Sequence, residues 1–251
     1  MTAFSPDALT EHAFLGGLVH VWQPREGYRS GVDAVYLAAS APAVSGESVL
    51  DLGSGAGVAS FCLGARVKDL SLHGLELHPA YASLAETNAA RIGANLTVFR
   101  GDVAGPPADL RALSFDGVIA NPPYFRAGAG LISEAKEAAH HETVPLSVWV
   151  DCALRRLVPG GWLVMIQRAE RLMELLGALD GRAGDIRVKP IAGRTGRPAT
   201  RVVVKARKGA RAPLTLCAPL IEHDGEAHVS DGDDYSAAAK AILRDAGEMA
   251  F

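Results

Sequence analysis

Val49-Leu50-Asp51-Leu52-Gly53-Ser54-Gly55-Ala56-Gly57 reads as a buried strand that breaks into a glycine turn, and Val58 to Val67 continues it as a helix. Glycine tolerates positive φ and lets backbone approach a bound group closely, so three glycines at alternate positions describe a loop that hugs a ligand. The chain holds 27 glycines, and the turn gains weight only from its company. Glu76 ends the next expected strand, Leu72-His73-Gly74-Leu75, and Asn121-Pro122-Pro123-Tyr124 follows a later one, Phe115 to Ala120.

Outward from the turn, the pattern predicts a helix from Pro79 to Ile92, with Pro79 where a missing N–H costs nothing. A strand over Leu96 to Phe99 then runs into Gly101-Asp102. Leu146 to Leu157 reads as a helix closed by Pro159-Gly160-Gly161, and Trp162 to Ile166 as a strand. Ala169 to Leu179 is helical, and Ile186 to Ile191 pairs with Thr200 to Ala206. Repeated strand–helix units imply an α/β fold with a mostly parallel sheet covered on both faces, closed by an antiparallel edge hairpin. Before this core, residues 1–11 read as frayed, His12 to Pro24 as a hairpin around Gly16-Gly17, and Ala34 to Ala39 as a helix. The expected organisation is an N-terminal cap (1–45), a core (46–211) and a C-terminal extension (212–251) ending in a helix near Tyr235 to Asp245. Phe125 to Val144 has no steady period and reads as a loop with one short helix around Ser133 to Ala139.

With 251 residues, 49% hydrophobic and 21% charged, the chain is long and apolar enough for one α/β domain with appendages. Its net charge of -3 argues against a uniformly basic nucleic-acid binder but hides a contrast. Residues 182–211 carry ten Lys or Arg against Asp185 alone, whereas residues 222–248 hold eight acids against Lys240 and Arg244. The basic block fits a phosphate-contacting surface, especially Arg194, Arg197 and Arg201, or a solvated edge hairpin that discourages sheet-to-sheet pairing. The acidic tail would shield it or pair with it in a homodimer. Cys62, Cys152 and Cys217 form neither a disulfide framework nor a zinc pattern, so reduced thiols in the cytoplasm are expected. No signal-peptide pattern opens the chain, and no apolar run approaches the roughly 18 to 20 residues that cross a bilayer. His140, His141 and Glu142 lack a ligand spacing, and no metal is expected.

Ligands of an open parallel sheet sit beyond the C-terminal ends of its strands. Asp51 to Gly57, Glu76, Asp102 and Asn121 to Tyr124 each fall at such an end. Glu76 follows Gly53 by 23 residues, one strand–turn–helix–strand unit, and a carboxylate there can accept both hydroxyls of a ribose. The cofactor is then a dinucleotide or S-adenosyl-L-methionine. The glycine spacing is not G-x-G-x-x-G, and Asp51 would repel a pyrophosphate but tolerate an ammonium and a sulfonium, which favours methyl transfer. In Asn121-Pro122-Pro123-Tyr124 two prolines remove backbone donors and stiffen the turn. The Asn121 side-chain oxygen and the Pro122 carbonyl can accept both hydrogens of a planar amino group, while Tyr124 offers a stacking face.

Asp51-Leu-Gly-Ser-Gly-Ala-Gly57, Glu76, Asp102 and Asn121-Pro-Pro-Tyr124 together resemble the class I S-adenosylmethionine-dependent methyltransferases that act on amino nitrogens. Gln23-Pro24, Gly27-Tyr28-Arg29-Ser30, Asp33-Ala34-Val35, Pro122 to Phe125 and Arg201 to Val204 extend the resemblance to the small-methyltransferase group, whose type enzyme methylates an adenine amino group in tRNA. The resemblance implies a Rossmann-like sheet of seven strands. It also implies that Asp51 with Gly53, Gly55 and Gly57 holds the amino-acid part of the cofactor, that Glu76 beside Leu77 takes the ribose, and that Asp102 and Val103 line the adenine. Tyr28, Arg29 and Asp33 would close over the cofactor, and Asn121 would border it. Asn121, Pro122 and Tyr124 would carry catalysis, with Tyr124 and Phe125 sharing the stacking of an extruded base. RNA, in particular tRNA, is the expected partner. The same motif serves enzymes that methylate a glutamine amide in release factors, or ribosomal RNA or DNA, and a non-catalytic cofactor- or RNA-binding module is the third reading.

Overall fold

The computed structural model describes residues 3–126, 141–142, 144–225 and 234–251. The strands are β1 (Leu9–Phe14), β2 (Val19–Pro24), β3 (Ser48–Leu52), β4 (Ser71–Glu76), β5 (Leu96–Arg100), β6 (Phe115–Ala120), β7 (Phe125–Arg126), β8 (His141–Glu142), β9 (Leu157–Arg168), β10 (Ala183–Ala192), β11 (Ala199–Lys208), β12 (Thr215–Leu216) and β13 (Leu220–Ile221). The helices are α1 (Val32–Ser40), α2 (Val58–Arg66), α3 (Pro79–Ile92), α4 (Ala108–Arg111), α5 (Leu146–Arg156), α6 (Leu172–Leu179) and α7 (Ala237–Asp245).

Apolar runs such as Val49 to Leu52 and Val118 to Ala120 are buried on both faces, as a parallel sheet between helix layers requires. The main sheet runs β12-β10-β11-β9-β6-β3-β4-β5, with β13 also on β10. β3 pairs in parallel with β4 on one side and β6 on the other, so the strand order reverses there. β11 lies antiparallel between β9 and β10, the expected hairpin. Two-residue strands β12 and β13 flank β10, adding to the seven strands anticipated.

One apolar cluster covers each face of the sheet. The first joins α1 and α2 to Leu15, Val19 and Val21 of the N-terminal hairpin and to Ile242, Leu243 and Met249 near the C-terminus. The second packs α5 and α6 against β6, β9 and β11. The cap and the extension therefore add to the same core as the sheet.

Three local readings change, and one short helix is added. Residues 9–11 are not frayed: Leu9 pairs with Pro24, and the hairpin ladder satisfies their backbone. β9 starts at Leu157 rather than Trp162. Pro159-Gly160-Gly161 is accommodated inside the strand as an irregularity, where the register on β6 jumps from Phe115↔Leu157 to Gly117↔Trp162. The four-residue α4 follows Pro106-Pro107, a stretch too short for a periodic signal. The first core strand, expected over Val44 to Leu52, begins at Ser48, because Val44 to Glu47 form a turn. The helix expected around Ser133 to Ala139 lies outside the described residues.

Candidate active site

A cavity of about 370 Å³ opens at the C-terminal rim of the parallel strands, at the β3/β6 reversal. Its lining includes Gly53 and Gly55 after β3, Glu76 and Leu77 at the end of β4, Asp102 and Val103 after β5, and Asn121 to Tyr124 after β6. Tyr28, Arg29 and Asp33 border it from the N-terminal cap. Sequence reasoning brought these together. It missed His78, Tyr81 and Trp149, which also face the cavity.

The glycine turn is shaped by what it must pass. Gly53 has φ +72°, and a Cβ there would lie 2.9 Å from the Trp149 ring. Gly57, at φ +88°, is the left-handed residue that admits the chain into α2, and a Cβ on it would strike the Phe61 ring at 2.5 Å. Gly57 lies outside the cavity lining. The turn is tied down by Gly53 N–H donating to the Leu75 carbonyl at 2.8 Å and Gly55 N–H to Glu76 Oε2 at 2.8 Å. Glu76 Oε1 accepts the His78 N–H at 2.8 Å. The carboxylate is thus aimed by two amides while each oxygen keeps lone-pair capacity for a further hydroxyl.

Asp51 sits deeper than the lining. It is 3% exposed, and its Oδ2 accepts the Ser60 hydroxyl at 2.8 Å. Burial pushes its carboxyl up to about 7, against the opposing hydrogen bond from Ser60. Asp102 Oδ1 accepts the Ala104 N–H at 2.9 Å, which closes the turn after β5 beside Val103.

Over the glycine turn lies Tyr28, whose ring edge would be 3.7 Å from a Cβ on Gly55. The loop carrying it is held at both ends. Tyr81 donates its hydroxyl to the Tyr28 carbonyl at 2.9 Å, while the Gln23 side chain donates to the Ser30 carbonyl at 3.1 Å and accepts the Ser30 N–H at 2.7 Å. Gln23 and Tyr81 carried no signal of this role beyond the Gln-Pro pair.

Two buried polar atoms in the cavity wall have no partner among the described residues: Asn121 Oδ1 and Trp149 Nε1. Buried polar groups are rarely left so, and both residues belong to the cavity lining. The Pro122 and Pro123 carbonyls are held from behind by Gln167 Nε2, 3.4 Å from each, and Arg171 Nη1 reaches the Pro123 carbonyl at 3.2 Å. Tyr124 donates its hydroxyl to Asp33, and burial first, then the Asp33 charge, raises the phenol well above its ordinary range.

The basic residues are less available than their sequence implies. Arg201 pairs with Asp33 at 2.5 Å and with Glu222. Arg194 pairs with Asp234 and donates to the Asp224 carbonyl. Arg197 is exposed in the turn between β10 and β11, with no side-chain partner among the described residues. Neither Arg194 nor Arg197 lines the cavity. The stacking expected of Phe125 concerns a side chain outside the description. Among the described residues no cluster of His, Cys, Asp and Glu could hold a metal, and no helix is long and apolar enough to cross a membrane.

A parallel sheet whose order reverses at β3, with a glycine turn bonded to Glu76 at the C-terminal rim of its strands, is the arrangement of a class I methyltransferase. Residues 33–186 match the family model for the methyltransferase small domain, and the chain belongs to that family of S-adenosyl-L-methionine-dependent enzymes. It is 33% identical to a tRNA1(Val) (adenine(37)-N6)-methyltransferase of Actinobacillus succinogenes over 61% of this chain and 66% of that enzyme. With the enzyme of the same description from Dickeya chrysanthemi it shares 28% identity over 86% of each. Among solved structures, a predicted O-methyltransferase from Agrobacterium tumefaciens superposes with a TM-score of 0.70 at 26% identity, covering 87% of this chain and 98% of that one.

The cavity fits the family's cofactor. The glycine turn would give close backbone approach, Glu76 would accept the ribose hydroxyls, and Asp102 and Val103 would border the adenine. When bound, S-adenosyl-L-methionine supplies an electrophilic methyl group on a sulfonium.

Proposed function

We propose that this enzyme methylates the exocyclic amino group of adenine in tRNA. The observation that supports this most is the buried, unpartnered Oδ1 of Asn121 beside the Pro122 carbonyl. An amino nitrogen conjugated to a ring is a poor nucleophile. Two acceptors that grip its hydrogens hold it in line and favour the positive charge that develops on it. No base is required before attack, since the extra proton leaves once the nitrogen is cationic. A hydroxyl substrate would need a base first, and the nearby carboxylate of Asp33 is already engaged by Tyr124 and Arg201. Asn121 and Pro122 grip the amino group, Tyr124 stacks on the base, and Glu76, Asp102 and the Gly53–Gly57 turn hold the cofactor.

The relatives' substrate, an adenine in tRNA1(Val), gives the reading its RNA. Of Arg194, Arg197 and Arg201, Arg197 is the one best suited to phosphate, since the other two are spent on acids of the same chain. The Arg194–Asp234 pair favours shielding within one chain over pairing between two copies. The buried free thiols of Cys62 and Cys152 accord with work in the reducing cytoplasm. Purified protein given methyl-labelled S-adenosylmethionine and separate pools of tRNA, ribosomal RNA, DNA and release-factor protein should label a tRNA adenine. Label confined to protein would overturn the reading.

A further inference from the structure

The carboxylate of Asp33, which the family resemblance assigns to the cofactor side, is instead clamped between a tyrosine and an arginine. Tyr124 donates its hydroxyl to Asp33 Oδ2, and Arg201 Nη1 lies 2.5 Å from Asp33 Oδ1. The other arm of Arg201 pairs with Glu222, whose second oxygen accepts the Tyr36 hydroxyl at 3.0 Å. Glu222 is 7% exposed and fixed through its own backbone: its N–H donates to the Ala192 carbonyl at 2.9 Å, and its carbonyl accepts the Ser236 N–H at 2.8 Å. Tyr36 and Asp33 come from α1, Tyr124 from the turn after β6, Arg201 from β11, and Glu222 from just past β13. Four separate parts of the chain meet in one line of side chains.

A phenol ring held by its hydroxyl is restricted in how far it can swing, and Tyr124 is one of the residues that line the cavity. Asp33 can hold that hydroxyl only while its own position is fixed, and Arg201 fixes it. Burial weakens the Arg201 charge, but Asp33 and Glu222 outweigh that and keep the guanidinium protonated. With a carboxylate on each arm, Arg201 has little charge left for a phosphate.

We propose that Asp33 is the positioning residue for Tyr124, and that Arg201 and Glu222 brace it, so that the C-terminal extension completes the platform on which the target ring stacks. The proposal rests on the reading of Tyr124 as the stacking face for a planar amino substrate. It moves Asp33 from the cofactor to the target side and Arg201 from RNA contact to internal bracing.

The test is a double-mutant cycle of Asp33→Asn and Tyr124→Phe, with methyl transfer to RNA and cofactor affinity measured on each variant. Each single change should lower kcat by about tenfold through misplacement of the ring. The double variant should fall no more than about twofold below Tyr124→Phe alone, because the two act through one contact. Cofactor affinity should hold within about threefold in all three. Additive losses, or cofactor affinity falling with the rate, would overturn the proposal. A second readout needs no RNA and includes Glu222→Gln, in case Asp33→Asn fails to fold. In protein labelled with fluorotyrosine, the Tyr124 ¹⁹F resonance, assigned by its loss in Tyr124→Phe, should shift and broaden when Asp33 or Glu222 is changed. A resonance unmoved by every folded variant would sink the idea. This signal is read from the free enzyme, so it stands even where RNA adenine proves not to be the substrate.

Discussion

The side-chain amide of Gln167, buried near the end of β9, donates to the Pro122 carbonyl at 3.4 Å and to the Pro123 carbonyl at the same distance. The turn proposed to present the target amino group is therefore held from behind by a neighbouring strand, in addition to the stiffness of its prolines. Gln167→Ala should slow methyl transfer by about tenfold while leaving cofactor affinity in place, because the loss is one of aim. Gln167→Glu should be worse, since it sets a carboxylate against two carbonyl oxygens. Single-turnover transfer rates check this, and an unchanged rate in both variants would mean the proline pair holds itself.

Gly53→Ala should be harmful in two ways. At φ +72° an alanine is strained, and its Cβ would press on Trp149 at 2.9 Å. A stability loss of about 1–2 kcal/mol is expected by denaturant unfolding. Cofactor binding should weaken as the turn shifts to relieve the contact.

Asp51 makes stability depend on pH. Its carboxyl is raised from 3.8 to about 7 by burial, so between those values the folded state binds more protons than the unfolded one. Stability therefore declines as pH rises through that window and levels off above about 7. The ionised Asp51 is a liability on the order of 4 kcal/mol in the cofactor-free protein, at roughly 1.4 kcal/mol for each pH unit. Thermal melts of wild type and Asp51→Asn across pH 4–8 should show the variant gaining on wild type as pH rises. Parallel curves would place Asp51 in a wetter setting.

The two arginines beside the β10–β11 turn should behave differently. Arg197→Ala should weaken RNA binding and reduce the salt slope by about 0.7–0.9, the contribution of one phosphate contact. Arg194→Ala should instead lower the melting temperature with the slope unchanged, because Arg194 is committed to Asp234 and Asp224. Fluorescence titrations at several salt concentrations separate the two. The reverse pattern would put the RNA path elsewhere.

The glycine turn, Glu76, Asp102 and the Asn-Pro-Pro-Tyr stretch were legible because each sits where an apolar run stops, and a parallel sheet sends every such stop to one rim. Trp149 lies within the apolar pattern of α5, and spacing alone does not reveal that it lines the cavity with its N–H unpartnered among the described residues. Gln167 leaves a fainter trace: a polar residue directly after the strand expected over Trp162 to Ile166. The fates of Asp33 and Arg201 were hidden altogether. They are 168 residues apart, and only the folded chain shows that one neutralises the other. Net charge over residues 182–211 overstated the free positive surface for the same reason.

The central claim is that Asn121 grips the target amino group and not the cofactor. Methyl-transfer rate and cofactor dissociation constant, measured side by side for Asn121→Ala and wild type, test it most directly. The rate should fall by about a hundredfold or more with the dissociation constant within about threefold. A dissociation constant that rises in step with the lost rate would contradict it.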